Sequence, residues 1–186
     1  MSDTVDRILD VSQGLLQTKG YAAFSYTDVA EALSITKPAV HFHFRSKADL
    51  GLAVTRRYRA DFARAVEGIE RAEADPADRL AAYAAIFAET AGNGRACLFG
   101  LLASDVQSVP EELVSEVGGF LADQTAWLAR IIAQAGIPSR TAKLRACSLF
   151  VGLEGALLFA LVPSTSALKF DVVAKNLVNS ALESPP

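Results

Sequence analysis

Apolar residues recur at helical spacing along most of the chain. The first such segment ends at Gly20, and its apolar positions are Val5, Ile8, Leu9, Leu15 and Leu16. The same periodicity, bounded by turn residues, predicts later helices over 47–71, 77–90, 97–104, 110–135, 139–162 and 169–182. Pro163 is expected to end the helix that precedes it. No segment shows the strict alternation typical of a β-strand, so the sequence predicts an all-α protein.

Residues 25–47 predict two short helices joined by a tight turn. Ser25 begins the first helix with the spacing of a capping box, which satisfies free backbone amides at a helix start. Thr36 is the second N-cap, and Pro38 follows in the first turn, where its missing amide costs nothing. Ser46 begins a further helix almost at once. A helix, a turn and a short second helix with a basic flank form a helix-turn-helix, whose second helix enters the major groove of DNA.

The distribution of charge agrees with DNA binding. The net charge is −3, which argues against a general nucleic-acid coat. Residues 33–59, however, contain six basic residues and one acidic residue. The basic residues are Lys37, Arg45, Lys47, Arg56, Arg57 and Arg59. A basic patch on an acidic body fits a protein that holds DNA at one end.

Composition sets the broad class of the protein. The 186 residues suffice for one large domain or two small ones, and 51% hydrophobic residues indicate a substantial core. The acidic N-terminus has no apolar signal segment, so a secretory leader is not expected. The longest apolar run, 148–162, is short and contains Glu154, so a buried helix is favoured over a membrane span. Two cysteines and no leader agree with a cytoplasmic location.

Between residues 4 and 55 the chain resembles the TetR/AcrR family of transcriptional regulators. The family's signature contains a first helix that ends in Gly-Tyr, here Gly20-Tyr21, and a Thr/Ser-capped "DIA" helix, here 25–30. It ends in a Y-x-H-F-x-[SN]-K-x-x-L stretch, here 41–47 followed by Leu50.

Two positions depart from the family pattern. Ser34 lies where the family has a turn glycine, so a left-handed backbone there would be strained. His41 lies where the family has a phosphate-contacting tyrosine, so the corresponding contact would be titratable.

The resemblance implies an architecture of about nine helices. A three-helix DNA-binding head, residues 1–47, is followed by a larger bundle for ligand binding and dimerisation, residues 48–186. The family dimerises through its last two long helices, which correspond to 141–162 and 169–182 in this chain.

Helix geometry and the family's docking mode together suggest the residues that meet double-stranded DNA. The candidates for base contact are Lys37, Pro38, Ala39 and Phe42, and those for phosphate contact are Tyr26, Thr27, His41 and Lys47. Phe42 has two interpretations, since an aromatic side chain on this helix either contacts DNA or packs half-buried on the head. Val40 and Phe44 are expected to face the core of the head.

Other kinds of chemistry find little support. His41 and His43, the only histidines, are two residues apart and point to different sides of a helix, so no metal site is expected. The chain has no nucleophile elbow, P-loop, C-x-x-C pair or dinucleotide fingerprint. The sequence therefore predicts neither an enzyme nor a cofactor.

The family's effector pocket lies inside the bundle, and several residues of this chain are candidates for its lining. They are Tyr83, Phe87, Cys97, Phe99, Leu102, Trp127, Phe150 and Glu154. Each aromatic residue has ordinary core packing as its alternative role. Glu154 needs a partner wherever it is buried, and it either faces solvent, pairs across a dimer seam or points into a cavity. Gly152 and Gly155 flank it and favour the dimer seam, because small residues permit close approach of helices.

Cys97 supports a separate hypothesis. Residues 93–100 resemble a G-x-x-C-L-x-G turn found in a branch of the family that senses electrophiles or oxidants. A position at a helix N-terminus near Arg95 would favour the reactive thiolate. The alternative is a buried cysteine that behaves as a small hydrophobe.

Together these features predict a homodimeric repressor that a small, largely apolar or aromatic effector releases from a palindromic operator. One alternative is a repressor that responds to electrophiles or oxidants through Cys97. The other is an effector-free architectural DNA-binding protein. Activation also stays open, because the position of the operator relative to the promoter decides it.

Overall fold

The computed structural model of the chain describes residues 3–162 and 169–183. Over these residues the chain forms nine helices and no β-strand, which confirms the all-α prediction. The helices are α1 (Asp3–Ala23), α2 (Tyr26–Leu33), α3 (Lys37–His43), α4 (Lys47–Ala72), α5 (Pro76–Gly92), α6 (Leu98–Ser104), α7 (Glu111–Gln134), α8 (Ser139–Ala160) and α9 (Phe170–Leu182). The predicted helix end at Pro163 lies outside the described residues.

The described residues pack into two compact units. The first unit contains the chain up to Asp61 together with Leu98–Gly118, and the second contains Phe62–Cys97 and the chain from Gly119 onward. Helices α4 and α7 therefore contribute residues to both units. The predicted functional boundary after residue 47 is a different division, and it stays a prediction.

The helix boundaries of the first unit follow local chemistry. The Ser25 hydroxyl accepts from the Asp28 amide at 3.3 Å, and the Asp28 carboxylate accepts from the Ser25 amide at 2.8 Å, which completes the predicted capping box. The Thr36 hydroxyl accepts from the Ala39 amide and caps α3. Asp28 also pairs with Lys19 at 2.7 Å, and this hydrogen bond, with those from Ser25, lowers the pKa of Asp28 to about 2.

A continuous apolar core holds the first unit together. Its largest fully buried side chains, each at most 1% exposed, include Ile8, Leu16, Phe24, Leu50, Phe99 and Leu102. Burial of a side chain of this size stabilises a fold by about 1.5–3 kcal/mol. Helix α6 packs against α1, so the short apolar segment after Cys97 completes the core of the head's own unit.

The second unit is a helical bundle. Helix α9 packs against both α8 and α5, and α5 also packs against α8. Leu80, Phe87, Phe120, Leu128 and Leu153 are at most 2% exposed and form its centre. Among the described residues, no helix is both long enough and apolar enough to cross a membrane.

Candidate nucleic-acid interface and bundle interior

Two features attach helix α3 to the first unit: one buried apolar side chain and a hydrogen bond at its C-terminal end. Val40 is completely buried, as predicted for its inward face. The Tyr26 hydroxyl donates to the Phe44 carbonyl at 2.8 Å, where α3 ends. The Tyr26 ring also meets the His41 ring edge-on, with centroids 4.5 Å apart. These contacts fix the direction in which the opposite face of α3 points.

That opposite face carries most of the predicted base contacts. Lys37, Pro38, His41 and Phe42 are exposed, and Ala39 is half-buried. Phe42 is 84% exposed, so the alternative of half-buried packing is wrong. A phenyl ring in this position can be buried only by a binding partner. Its exposure therefore agrees with contact to thymine methyl groups in DNA.

Exposed polar groups surround this helix face. Thr27, in the first turn of α2, is exposed and agrees with a phosphate contact. Arg45, which directly follows α3, is exposed as well; it belongs to the predicted basic patch but was not among the predicted DNA contacts. The sequence feature that could have identified Arg45 as a DNA contact is its positive charge directly after helix α3. The candidate DNA contacts that the structure leaves accessible are named the DNA-facing surface below, and they are Thr27, Lys37, Pro38, Ala39, His41, Phe42 and Arg45.

Tyr26 and Lys47, both predicted to contact phosphate, lie elsewhere. Tyr26 is only 5% exposed, and its hydroxyl is already bonded inside the unit. The Lys47 ammonium donates to the Ala22 carbonyl at 3.1 Å, near the end of α1, and lies 4.7 Å from the centroid of the Tyr21 ring. Partial burial lowers the pKa of Lys47. Both side chains brace the head, so we leave them out of the DNA-facing surface.

Three of the six residues of the predicted basic patch pair with acidic side chains in the folded chain. Arg56 and Arg59 both pair with the Glu116 carboxylate, at 2.9 and 3.0 Å, and Arg57 pairs with Asp10 at 2.8 Å. The hydrogen bonds from Arg56 and Arg59 keep the pKa of Glu116 below its usual range. These three arginines therefore join α4 to α7 and α1 within the first unit.

The structure does not favour metal binding at the two histidines. His43 meets the Phe42 ring edge-on at 5.2 Å, whereas His41 meets Tyr26. Nowhere in the described part of the chain do three or more histidine, cysteine or acidic side chains come together as metal ligands would.

Six of the predicted pocket residues belong to the second unit. Tyr83 stacks on Trp127, with ring centroids 5.3 Å apart and planes 21° from parallel, and Phe87 meets Phe150 edge-on at 6.3 Å. Tyr83, Phe87 and Phe150 are buried, whereas Trp127 is half-buried. The other two candidates, Phe99 and Leu102, lie in the first unit, where they fill the core beside α1. The sequence could not show in which unit these two residues lie, because lining a pocket and filling a core both require buried apolar residues.

Glu154 and Cys97 meet inside the second unit. Cys97 is 2% exposed, and its thiol donates a hydrogen bond to the Glu154 carboxyl group. Glu154 Oε2 is buried without a hydrogen-bond partner. Burial raises the pKa of Glu154 to about 7, although the bond from Cys97 acts in the opposite direction.

This placement changes the interpretation of both residues. The thiol of Cys97 is buried and bonded to a carboxyl group, whereas the sensing hypothesis relies on an accessible thiol near Arg95. Gly152, next to Glu154 on α8, faces α9 of the same chain, where an added Cβ would lie 2.7 Å from Leu177. Its small size therefore serves packing within one subunit.

The second unit also carries shallow grooves. One of about 450 Å³ lies between α5 and α9, and one of about 550 Å³ lies between α7 and α8. Alanine methyl groups line much of both grooves, and neither is lined by any of the eight predicted pocket residues.

Comparison with known proteins connects these features. A family model described as bacterial regulatory proteins, tetR family, matches residues 8–54. The transcriptional regulator AcuR of Cereibacter sphaeroides is 29% identical over 157 residues, which cover 78% of this chain and 70% of AcuR.

Two solved structures extend the similarity over almost the whole chain. A TetR transcriptional regulator from Legionella pneumophila gives a TM-score of 0.90 at 27% identity, covering 98% of this chain and 99% of that chain. A TetR-family transcriptional regulator from Agrobacterium tumefaciens gives a TM-score of 0.88 at 26% identity, covering 95% of this chain and 96% of that chain.

Proposed function

We propose that this chain, which belongs to the TetR family of DNA-binding transcriptional regulators, is a homodimeric repressor that a small effector releases from a palindromic operator. Residues 1–47 bind DNA, and residues 48–186 bind the effector and form the dimer. A protein of this kind acts on chromosomal DNA and therefore works in the cytoplasm.

The DNA-facing surface is the observation that carries the proposal. Val40 anchors α3, and the exposed Phe42 and Lys37 project from the other side. Phe42 supplies apolar contact with base methyl groups, and Lys37 reaches a base edge or a phosphate. Thr27 and Arg45 hold the adjacent backbone. Affinity comes from the charged groups, whereas Phe42 contributes to sequence choice.

A second copy of the chain supplies the other reading helix. Of the nine large apolar side chains that the described residues leave exposed, six belong to α8, to α9 or to the two residues after α8. They are Leu144, Val151, Leu158, Phe159, Val162 and Val172. Leu144, Val151 and Leu158 recur every seven residues, so they form one stripe along α8. A stripe of this kind on a helix is typical of an interface with another helix.

Effector control requires two conformations that differ in DNA affinity. A ligand shifts their populations only by its difference in affinity for the two conformations. Cys97 is the last residue of its segment in the second unit, and Leu98 begins α6 in the first. A ligand that alters the position of Cys97 acts on a helix that packs against α1 of the head.

Selection from a random duplex DNA library, followed by footprinting of the enriched sequence, tests this function. We expect protection of two symmetric half-sites about one helical turn apart, roughly 10 base pairs. Phe42→Ala should weaken binding to the selected sequence by about 1–3 kcal/mol. It should change the melting temperature little, because the Phe42 side chain is 84% exposed and its ring meets only the edge of His43. Protection without a palindromic core would instead indicate an architectural protein.

A further inference from the structure

Four polar side chains from different elements converge inside the otherwise apolar second unit. The Tyr83 hydroxyl on α5 donates to Gln124 Oε1 on α7 at 3.3 Å. The Cys97 thiol, just before α6, donates to Glu154 on α8. The Glu154 carboxyl group is close enough to Tyr83 to contribute to the raised pKa of that phenol, to which burial contributes most. A few convergent polar groups within an apolar surround are typical of a small-molecule site.

None of these four side chains carries a positive charge. Glu154 accepts one hydrogen bond from a thiol, which is a weak donor, and its Oε2 atom is buried with no partner. Two basic side chains of the same unit are engaged elsewhere, since Arg79 donates to Gln134 and Arg130 donates to Glu70. An ionised carboxylate in such a place is costly, and burial accordingly raises the pKa of Glu154 to about 7.

Aromatic rings surround the same region. Tyr83, stacked on Trp127, also packs against Phe87, with centroids 5.5 Å apart. Trp127 is half-buried, so it forms the outer wall of this cluster, and its indole N–H donates to Glu70. Glu154 itself keeps part of its surface accessible, although Oε2 does not. Aromatic faces attract cations, and this attraction adds to that of a carboxylate.

We propose that Glu154, together with Tyr83 and Cys97, is the polar anchor of the effector site, and that the effector is a small organic ammonium ion with an apolar body. The ammonium group donates to Oε2 and replaces the proton that Glu154 otherwise holds, while the apolar body lies against the aromatic rings. This inference rests on the proposed function, because it names the class of molecule that releases the repressor.

The carboxyl group of Glu154 disfavours two other classes of ligand, carboxylates and neutral alcohols. A carboxylate-bearing ligand would meet a second negative charge without a cation to compensate it. A neutral alcohol could donate to Oε2, but it would forgo the charge attraction that a buried carboxylate offers. Discrimination between an ammonium ion and an alcohol of the same shape is therefore the signature of this site.

Trp127, the only tryptophan in the chain, provides the measurement. Its fluorescence is titrated with benzylamine, phenethylamine and hexylamine, each compared with the alcohol of the same skeleton, and with benzoate as the anion. We expect at least one amine to bind about tenfold more tightly than its alcohol, and we expect no saturable binding of benzoate. Affinity for the amine should rise from pH 6 to pH 8, because Glu154 must release its proton while the amine, like lysine, stays charged.

Matched variants identify the residue responsible. Glu154→Gln keeps the shape and removes the charge, so it should abolish the preference for amine over alcohol. Glu89→Gln removes one negative charge from an exposed position on α5 and should retain the preference. Binding that does not distinguish amines from alcohols would overturn the proposal, and so would an amine preference that persists in Glu154→Gln. If Glu154→Gln fails to fold, the rise of amine affinity between pH 6 and pH 8 in the unmodified protein tests whether Glu154 binds the amine.

A parallel titration with DNA separates this inference from the proposed function. An amine that binds should lower the affinity of the unmodified protein for its selected operator by about tenfold. Specific operator binding with no amine preference would contradict only the ammonium site. Absence of any specific operator would contradict the repressor itself, whatever the amine titrations show.

Discussion

At the scale of single residues, Ser34 shows how one local conformation shapes the DNA-binding head. Its φ of 54° places it in the left-handed region, and it is the one non-glycine residue with positive φ in the described part of the chain. Its amide donates to carbonyls of the preceding turn and ends α2. The sequence pattern predicted this strain, because the resembled family has glycine there.

Replacement of Ser34 by glycine should therefore stabilise the protein. Relief of the left-handed strain outweighs the extra backbone entropy of glycine, for a net gain of about 0.5–1 kcal/mol in the free energy of unfolding. Urea unfolding measures this change. Ala32→Gly, in regular α2 next to it, should instead lose about the same amount. Equal effects of the two substitutions would show that the position carries no strain.

The pKa of Glu154 leads to a prediction about stability. Since the folded-state pKa of Glu154, about 7, lies above its ordinary value of 4.5, the folded protein holds a proton between these pH values that the unfolded chain has released. The contribution of protonated Glu154 to the free energy of unfolding is complete below about pH 4.5 and declines as the pH rises through 7. The decline should approach about 3 kcal/mol as an upper limit.

Urea unfolding at a series of pH values compares Glu154→Gln with the unmodified protein. The free-energy difference should move in favour of the glutamine variant between pH 5 and pH 8, because glutamine cannot ionise. Parallel pH profiles of the two proteins would contradict a buried, proton-binding Glu154.

Residues were predictable from the sequence when their partners were close along the chain. The capping pairs at Ser25 and Ser46 are three residues apart, so their spacing alone identified them. Lys47 bonds to the carbonyl of Ala22, 25 residues earlier, and the Tyr26 hydroxyl bonds to the carbonyl of Phe44, 18 residues later. No local pattern reveals such contacts, and both residues were therefore assigned to DNA instead.

At the scale of elements, helix α3 separates two lysines that looked alike in the sequence. Lys37 is exposed at its start, whereas the half-buried Lys47, at the start of α4, is bonded to the backbone near the end of α1. Lys37→Ala should reduce the slope of log affinity against log salt concentration by about 1, because one phosphate contact releases about one counterion. Fluorescence anisotropy over a range of salt concentrations measures this slope.

Lys47→Ala is the matched control for that measurement. It should leave the salt slope unchanged and reduce the free energy of unfolding by about 1 kcal/mol, through loss of its bond to Ala22 and its contact with Tyr21. A reduced slope in Lys47→Ala would return this residue to the DNA-facing surface.

Helices α8 and α9 carry the element-scale prediction about assembly. Val151 is 67% exposed in the middle of the apolar stripe on α8. Val151→Glu would bury a charge at the proposed interface, so it should convert the dimer into a monomer and reduce operator affinity by more than tenfold. Light scattering coupled to size-exclusion chromatography reports the mass. Leu121→Glu, on α7 and 38% exposed, should stay dimeric. A dimeric Val151→Glu protein would place the interface elsewhere.

The elements themselves were largely predictable, because apolar periodicity and turn residues determine helix existence and approximate length. The predicted segment 110–135, for example, corresponds to Glu111–Gln134. Periodicity shows which face is apolar, but it does not show which neighbour covers that face. Helix α6 therefore looked like part of the effector bundle, although it packs against α1.

At the scale of the whole molecule, the chain enters each packing unit twice. Two long helices and one peptide bond, between Cys97 and Leu98, join the units. The proposed effector anchor includes Cys97, so ligand binding and the core of the head's unit are adjacent along the chain. The family resemblance, which is tight only over residues 4–55, could not reveal this. It relies on local motifs, whereas the division into units depends on contacts between distant segments.

The most direct test of the account is the affinity for the selected operator before and after insertion of five base pairs between its half-sites. Half a helical turn moves the second half-site to the opposite side of the DNA, so a dimer with two reading helices cannot engage both. We predict that fluorescence anisotropy will show affinity falling to the level of unrelated DNA. Unchanged affinity after the insertion would contradict a dimeric repressor that reads a palindrome through α3.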